Sequence, residues 1–232
     1  MRTYIWTLPT RIFHWLLAIG FTSAYILGDI DNFSNLHFAF GAFVGALIIF
    51  RLLFGLFGPA YSRFKDFPVG LKKQIEFFRT YFLNTKFYAG HNPTASVVML
   101  LILLNGLICG ISGYLLYATE SNVLNIGINE EFLKESHEVF ANVFLVLIGL
   151  HLLGIIGETL FHGKTGTLQS IFTGYKNIDT QNATLNNYQK AYIILWFIVP
   201  FYFFYLAYGL QINAKDKDPK YEGTEHFEQD DD

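Results

Sequence analysis

Two histidines, His137 and His151, lie fourteen positions apart in one apolar stretch that contains no proline. At about 1.5 Å per residue, a helix would separate them by about 21 Å along its axis, and fourteen steps of about 100° would return the second to within about 40° of the first. One helix face would then carry an imidazole near each side of a bilayer whose hydrocarbon is about 30 Å thick. A single histidine in an apolar helix is usually packed or hydrogen-bonded, but ionisable groups are costly in lipid and tend to mark function. The spacing predicts two stacked metal centres.

The composition is that of an integral membrane protein. Of 232 residues, 52% are hydrophobic and 18% aromatic, while only 15% are charged, which is too apolar for an ordinary soluble domain. The single cysteine, Cys109, excludes a disulfide, a cysteine-rich iron–sulfur or zinc site and covalent haem attachment through C-x-x-C-H. Any haem must therefore be held by coordination and packing. The net charge of −3 gives no indication of a nucleic acid partner.

Five apolar stretches are long enough to cross a bilayer. They lie at about 12–28, 37–57, 95–117, 138–161 and 190–210. Lysine and arginine precede the first stretch and dominate the connections 51–93 and 162–189, which places these segments in the cytoplasm, whereas acidic residues follow the first and third stretches. The N-terminus is then cytoplasmic and the C-terminus external.

The predicted fold is therefore all-α and membrane-embedded. We expect a four-helix transmembrane domain over 1–176, a cytoplasmic loop at 177–189, an additional transmembrane helix at 190–211 and an acidic external tail at 212–232. In the long cytoplasmic connection, apolar residues recur at helical spacing, which predicts a helix lying along the membrane surface. These residues are Leu71, Ile75, Phe78 and Phe82.

The predicted topology sorts the histidines by depth. His14 lies just inside the first stretch from the cytoplasm, and His37 begins the second stretch from outside. His137 begins the fourth stretch from outside, and His151 falls about 21 Å deeper by helix rise. Two level pairs result: His14 with His151 on the inner side, and His37 with His137 on the outer side.

Two imidazoles at one depth can provide both axial ligands of a porphyrin iron that lies between helices. Iron with two histidine ligands has no open position, which favours electron transfer over oxygen binding. Arg11 and Arg51 are candidates for binding the propionates of the inner haem, although the positive-inside rule explains them equally well. His91 is a candidate for a quinone site, while Asn92 and Pro93 beside it are typical of a helix N-terminus.

Glycines in the first three stretches would let the edge of a porphyrin approach the backbone. They are Gly20, Gly41, Gly45, Gly106, Gly110 and Gly113. Ordinary helix packing through small residues explains the same pattern, so both interpretations stay open.

Several motifs together resemble the bacterial cytochrome b561 proteins, including the b-type cytochrome subunit of membrane-bound nickel–iron hydrogenases. The motifs are PTRIFHW at 9–15, LHFAFGAFVGALIIFRLLFGLFGP at 36–59, YAGHNP at 88–93, SHEVFANVFLVLIGLHLLG at 136–154 and FTGYK at 172–176. The resemblance covers about 4–176. It implies four spans holding two non-covalent haems b, with His14, His37, His137 and His151 as ligands, in a bacterial inner membrane. The fifth span and the acidic tail depart from the family's pattern, which leaves the redox partner open.

Three functions follow as hypotheses. The first is an electron-transfer subunit of a respiratory complex that connects a periplasmic redox partner, a hydrogenase-like subunit or a c-type cytochrome, with membrane quinone. The second is a stand-alone oxidoreductase that takes electrons from a small diffusible reductant such as superoxide. The third is a haem-free transporter or anchor whose histidines hydrogen-bond between helices. The sequence leaves the direction of electron flow and a possible homo-oligomer open.

Overall fold

The computed structural model describes residues 1–83, 87–121, 123–124 and 127–215, without the side chains of Asp31 and of 211–215. The predicted acidic tail lies outside the described residues from position 216 onward.

Seven α-helices and one short two-stranded ladder form the regular structure of the described residues apart from single 3₁₀ turns. The helices are α1 (Leu8–Gly28), α2 (Ser34–Phe57), α3 (Leu71–Thr80), α4 (Pro93–Glu120), α5 (Glu130–His162), α6 (Thr167–Thr173) and α7 (Asn187–Lys215). Five of them, α1, α2, α4, α5 and α7, are long and apolar enough to cross a membrane. The prediction of five spans is confirmed, and the chain is a multi-pass membrane protein.

Capping residues begin α4 and α5 before their apolar stretches. The Asn92 side chain accepts a hydrogen bond of 2.8 Å from the Ala95 amide, with Pro93 at the first helical position. The Asn129 side chain accepts a bond of 2.7 Å from the Glu131 amide. Because α5 begins at Glu130, the ring of His137 is carried by an established helix rather than by its first turn.

One buried apolar cluster joins α1, α2, α4 and α5. Its members are Phe21, Val44, Ile48, Leu103 and Phe144. The rings of Phe21 and Phe144 lie 4.3 Å apart between their centroids. Since Phe144 lies seven positions from both His137 and His151, this cluster lies midway between the two histidine levels of α5.

The fifth span, α7, packs along α2 through aromatic rings. The Tyr192 ring stacks on Phe50 with centroids 5.3 Å apart and planes 12° apart, and its hydroxyl donates to the Phe50 carbonyl at 3.2 Å. The Gln189 side-chain amide donates to the carbonyl of Phe57, the last residue of α2, at 2.7 Å. The predicted additional helix is therefore attached along the face of α2.

The surface helix predicted near 71–82 corresponds to α3 and the 3₁₀ turn that follows it. The ring of Phe77 on α3 is buried, but the side chains of Leu71 and Phe78 are 75% and 63% exposed. The apolar stripe thus faces away from the protein. A helix lying on a bilayer would present such a stripe to lipid.

The segment before α1 and the connection between α6 and α7, of which 177–189 was predicted to be a loop, form a structured clasp, which we define as 3–6 with 174–183. Strand β1 (Thr3–Tyr4) pairs antiparallel with strand β2 (Tyr175–Lys176). The Gly174 carbonyl accepts the amides of Ile5 and Trp6 at 2.8 and 3.0 Å. Gly174 adopts a φ of +87°, and a Cβ there would lie 2.4 Å from the Tyr4 ring, so only glycine fits this turn. The clasp covers the cytoplasmic end predicted for the inner histidine pair.

Candidate metal centres at two histidine pairs

The structure brings together the histidines that the sequence pairs by depth. The rings of His14 on α1 and His151 on α5 have centroids 6.3 Å apart and planes 50° apart. The rings of His37 on α2 and His137 on α5 have centroids 6.0 Å apart and planes 87° apart. Each pair therefore joins α5 to a different helix, at two levels fourteen residues apart along α5.

These separations fit one metal ion between two imidazoles. Two metal–nitrogen bonds of about 2.0–2.1 Å, plus about 1 Å from each nitrogen to its ring centre, give roughly 6 Å between centroids. Among the described residues, no group of three or more histidine, cysteine, aspartate or glutamate side chains could hold a metal. Two imidazoles alone are too few for a bare ion, whereas a porphyrin provides the remaining four ligands of its iron.

Backbone carbonyls orient both outer histidines. His37 Nδ1 lies 2.8 Å from the Ala24 carbonyl oxygen, and His137 Nδ1 lies 3.0 Å from the Cys109 carbonyl oxygen. When Nδ1 donates to a carbonyl, the proton is fixed there and Nε2 keeps its lone pair for a metal. Both outer rings are thus held in the tautomer that metal ligation requires.

Glycines make room for the same two rings. A Cβ on Gly113 would lie 2.7 Å from His137 Cε1, and a Cβ on Gly28 would lie 3.2 Å from His37 Nδ1. Gly113 is among the glycines predicted from the sequence to leave space, but Gly28 is not. Gly28 is the last residue of α1, where a glycine is typical of an ordinary helix end.

The other predicted glycines divide into two kinds. Gly20 and Gly106 lie against side chains of neighbouring helices, where a Cβ would approach within 3.0 and 2.6 Å, so for these two the packing interpretation is correct. Gly41, Gly45 and Gly110 have nothing within 4 Å of an added Cβ. His37, Gly41 and Gly45 recur every four positions along one face of α2, which leaves open space beside the ligand.

Near the inner pair, the structure places buried arginines rather than backbone carbonyls bonded to the imidazoles. His14 Nδ1 is buried and has no hydrogen-bond partner in the described part of the chain. Arg51 is only 4% exposed; its Nη2 donates to the Ser62 carbonyl at 2.9 Å, while its Nη1 has no partner among the described residues. Arg11 donates to the Phe172 carbonyl, and its buried Nε is likewise unpartnered there. Both arginines predicted to bind propionates thus keep a free donor.

His91 lies between two aromatic rings near the inner pair. Its ring centroid is 4.9 Å from those of Trp6 and Phe67, and its buried Nδ1 has no partner in the described residues. Burial holds the pKa of His91 well below its usual value, and the neighbouring charges of Arg51 and Lys176 lower it further. His91 is therefore neutral at physiological pH. It lines a cavity of about 440 Å³ together with Tyr61, Arg63, Asp66, Tyr88 and Gln181.

Sequence reasoning missed one buried cation, Lys176. Its side chain is only 3% exposed, and its Nζ donates to the carbonyls of Gly90 and Tyr88 at 3.0 and 3.3 Å. The FTGYK motif contains this lysine, but a lysine at the end of an unpredicted two-residue strand gives no sign of burial in the sequence.

Five apolar spans and two pairs of facing imidazoles are the arrangement expected of a membrane cytochrome of the b type, in which haem is bound without covalent attachment. The family model described as prokaryotic cytochrome b561 matches residues 5–174, and the chain belongs to this family. Comparison with curated proteins and with solved structures finds no match. Membership makes the chain a haem b protein of electron transport, as the resemblance in the sequence implied. The family match ends before α7.

Proposed function

We propose that the chain is a di-haem cytochrome b that transfers electrons between a periplasmic redox partner and membrane quinone. One observation carries the proposal: two imidazole pairs, with centroids 6.3 and 6.0 Å apart, lie at two levels fourteen residues apart along α5. The helix rise separates the two levels by about 21 Å. A cofactor at each level would provide an electron path across most of the bilayer.

The residues of the chain determine what such cofactors can do. Haem iron supplies reversible one-electron chemistry when bound. His14 with His151, and His37 with His137, would each hold one haem iron, and iron held by two imidazoles would serve electron transfer rather than oxygen binding. The apolar cluster around Phe144 keeps water from the space between the levels. Arg11 and Arg51 keep buried N–H donors free on the inner side, and carboxylates such as propionates match the arginine donor geometry.

Matched histidine variants of α5 test this arrangement. We expect His151→Ala to remove the inner haem and His137→Ala to remove the outer haem, each leaving the other in place, because the pairs share no ligand. The measurement is the reduced-minus-oxidised optical spectrum of the purified membrane protein, with haem and protein quantified together. The wild-type protein should contain two haems b for each chain.

Different outcomes would contradict different parts of the proposal. A wild-type ratio of one haem per chain would refute the two-level arrangement, and the absence of a b-type spectrum would refute haem binding by these residues. Loss of both haems in each variant, without a change in folding, would show that the two sites are not independent.

For the quinone, we propose the cavity lined by His91. A neutral imidazole with an unpartnered Nδ1 can exchange a hydrogen bond with a quinone carbonyl or quinol hydroxyl. The cavity of about 440 Å³ falls in the range of small-molecule sites. His91 also lies within electrostatic reach of His14 and His151, which supports electron exchange between this cavity and the inner pair.

For the partner, the charge of the proposed external surface favours a protein over superoxide. The described residues at the ends of α4 and α5 that face this side are mostly acidic and exposed: Glu120, Glu130, Glu131 and Glu135, with Lys134 as the cation among them. An acidic surface repels the superoxide anion but aids encounter with a lysine-rich c-type cytochrome or hydrogenase-like subunit. The stand-alone activity is therefore the less supported alternative.

A further inference from the structure

Lys176 is buried among neutral partners. Its side chain is 3% exposed, and its Nζ lies 3.0 and 3.3 Å from the carbonyl oxygens of Gly90 and Tyr88 and 5.7 Å from the centroid of the Trp6 ring. Carbonyls and an aromatic face stabilise an ammonium group but carry no charge. An ammonium group has three donors, so two carbonyls leave one donor for a further acceptor.

The surroundings of Lys176 contain more positive than negative charge. His91 is within electrostatic reach of both Lys176 and Arg51, and Arg51 is 4% exposed with its Nη1 unpartnered among the described residues. Glu158 is the carboxylate that acts on Lys176, but its carboxylate is also 3.4 Å from the Asn92 amide and 3.5 Å from His162 Nδ1. The carboxylate that acts on Lys176 therefore has other partners as well. Buried charges without counterions are costly, which indicates that an anion completes the site.

We propose that Lys176 and Arg51 together bind the two propionate groups of the inner haem. This inference rests on the proposed function and adds to Arg11 and Arg51 a residue from the clasp. Carboxylates match both kinds of cation: the arginine offers a planar fork of donors, and the lysine a compact charge. Since Lys176 is part of β2, binding of the cofactor and closure of the clasp over the cytoplasmic end become linked.

The charge state of Lys176 agrees with this role. Burial lowers the pKa of Lys176 to about 8, and Glu158 opposes that change. The lysine is therefore still mainly protonated near neutral pH, and a propionate beside it would favour the charged form further.

The experiment compares Lys176→Met, Lys176→Arg and Lys164→Met in the purified, haem-loaded full chain. Lys164 is exposed and lies on the same cytoplasmic side, so its variant removes one charge without touching the site. The readouts are the reduction potential of each haem, measured by spectroelectrochemistry, the haem content and the thermal unfolding temperature. In Lys176→Met, we expect the potential of the inner haem to shift to a more negative value, with at least a tenfold lower ratio of reduced to oxidised inner haem at the wild-type midpoint. In Lys176→Arg, which keeps the charge, the inner-haem potential should stay close to the wild-type value. The potential of the outer haem should not change in either variant.

Each result decides the proposal. An unchanged inner potential in Lys176→Met, an equal shift of both haems, or an equal shift in Lys164→Met overturns it. If Lys176→Met loses the inner haem entirely, retention of that haem in Lys176→Arg supports the role of the lysine charge. Loss of the inner haem in both variants, with a lowered unfolding temperature, shows that the lysine is merely structural and overturns the proposal. A wild-type protein with a single haem overturns the proposed function as well, whereas two haems with an unresponsive inner potential overturn only the role of Lys176.

Discussion

The two histidine pairs differ in how the chain holds them. In the outer pair, both Nδ1 atoms meet backbone carbonyls, of Ala24 and Cys109, at 2.8 and 3.0 Å. In the inner pair, His14 Nδ1 is buried without a hydrogen-bond partner in the described residues, and buried cations lie nearby instead. The outer rings are thus fixed by the protein itself, while the inner side provides charge and space.

This difference indicates different tasks for the two levels. Ligands fixed by backbone bonds need little reorganisation, which suits a site that only passes electrons. A level surrounded by unpartnered donors and a cavity can also bind anions and a substrate headgroup. The comparison predicts that the outer site responds to steric changes around its rings, and that the inner site responds to changes of charge.

The largest effect should follow from filling the space beside an outer ring. A Cβ at Gly113 would lie 2.7 Å from His137 Cε1 and 3.0 Å from its Nδ1, so Gly113→Ala should displace that ring and remove most of the outer haem. The haem content and the optical spectrum measure this loss. Gly209→Ala on α7 is the control, because nothing lies within 4 Å of a Cβ there. Loss of the inner haem instead would reverse our assignment of the two levels.

The next effect concerns quinone rather than haem. His91→Phe keeps the aromatic contacts with Trp6 and Phe67 but removes the nitrogen, and the loss of one hydrogen bond of about 1.4 kcal/mol should slow quinone reduction by about tenfold. Because the pKa of His91 lies well below its usual value, the wild-type rate should not fall between pH 8 and 6 through protonation of His91. Stopped-flow reduction of a water-soluble quinone checks both statements. His91→Gln, which keeps a polar donor and acceptor, should retain more of the rate than the phenylalanine variant.

Arg51→Gln should change the inner potential and leave the outer one unchanged. Loss of a buried cation disfavours the reduced, more negative form of a nearby cofactor, and we expect a negative shift of about 60 mV, which is a tenfold change for one electron. Arg51→Lys keeps the charge and should shift the potential less. Redox titration of the purified protein separates the two haems. An equal shift of both haem potentials would refute the idea that the charge of Arg51 acts on the inner haem alone.

The parts of this arrangement that the sequence predicted depend on periodicity within single helices. Apolar length indicated the five spans, and span direction and helix rise indicated which histidine faces which. The asparagine before α4 and the proline at its first position indicated where that helix begins. These are local properties, and a helix reproduces them with fixed rise and rotation. The ligand role of the four histidines and the orientation of the termini stay predictions.

The features that could not be predicted from the sequence, namely the clasp, the burial of Lys176 and the contacts of His37, depend on contacts between separate segments. The clasp joins residues near 4 with residues near 175, and two-residue strands have no periodicity to detect. Burial of Lys176 follows from that clasp and from carbonyls of the segment before α4. Gly28 and the carbonyl of Ala24 act on His37 across the turn between α1 and α2, and a backbone carbonyl has no signature in a sequence.

The smallest effect should come from a hydroxyl that shares the carbonyl of the outer site. Ser112 Oγ donates to the Cys109 carbonyl at 2.9 Å and lies 3.3 Å from His137 Nδ1. Ser112→Ala would leave that carbonyl a stronger acceptor for the imidazole N–H, which makes His137 a more basic ligand and favours oxidised iron. We expect a negative shift of the outer potential of about 20 mV, equivalent to about 0.5 kcal/mol for one electron, with full haem content. Ser96→Ala is the matched control, since Ser96 is a buried serine of the same helix that donates to the Asn92 carbonyl far from the outer pair. A positive shift, or an equal shift of the inner haem, would show that the carbonyl of Cys109 does not tune the outer ligand.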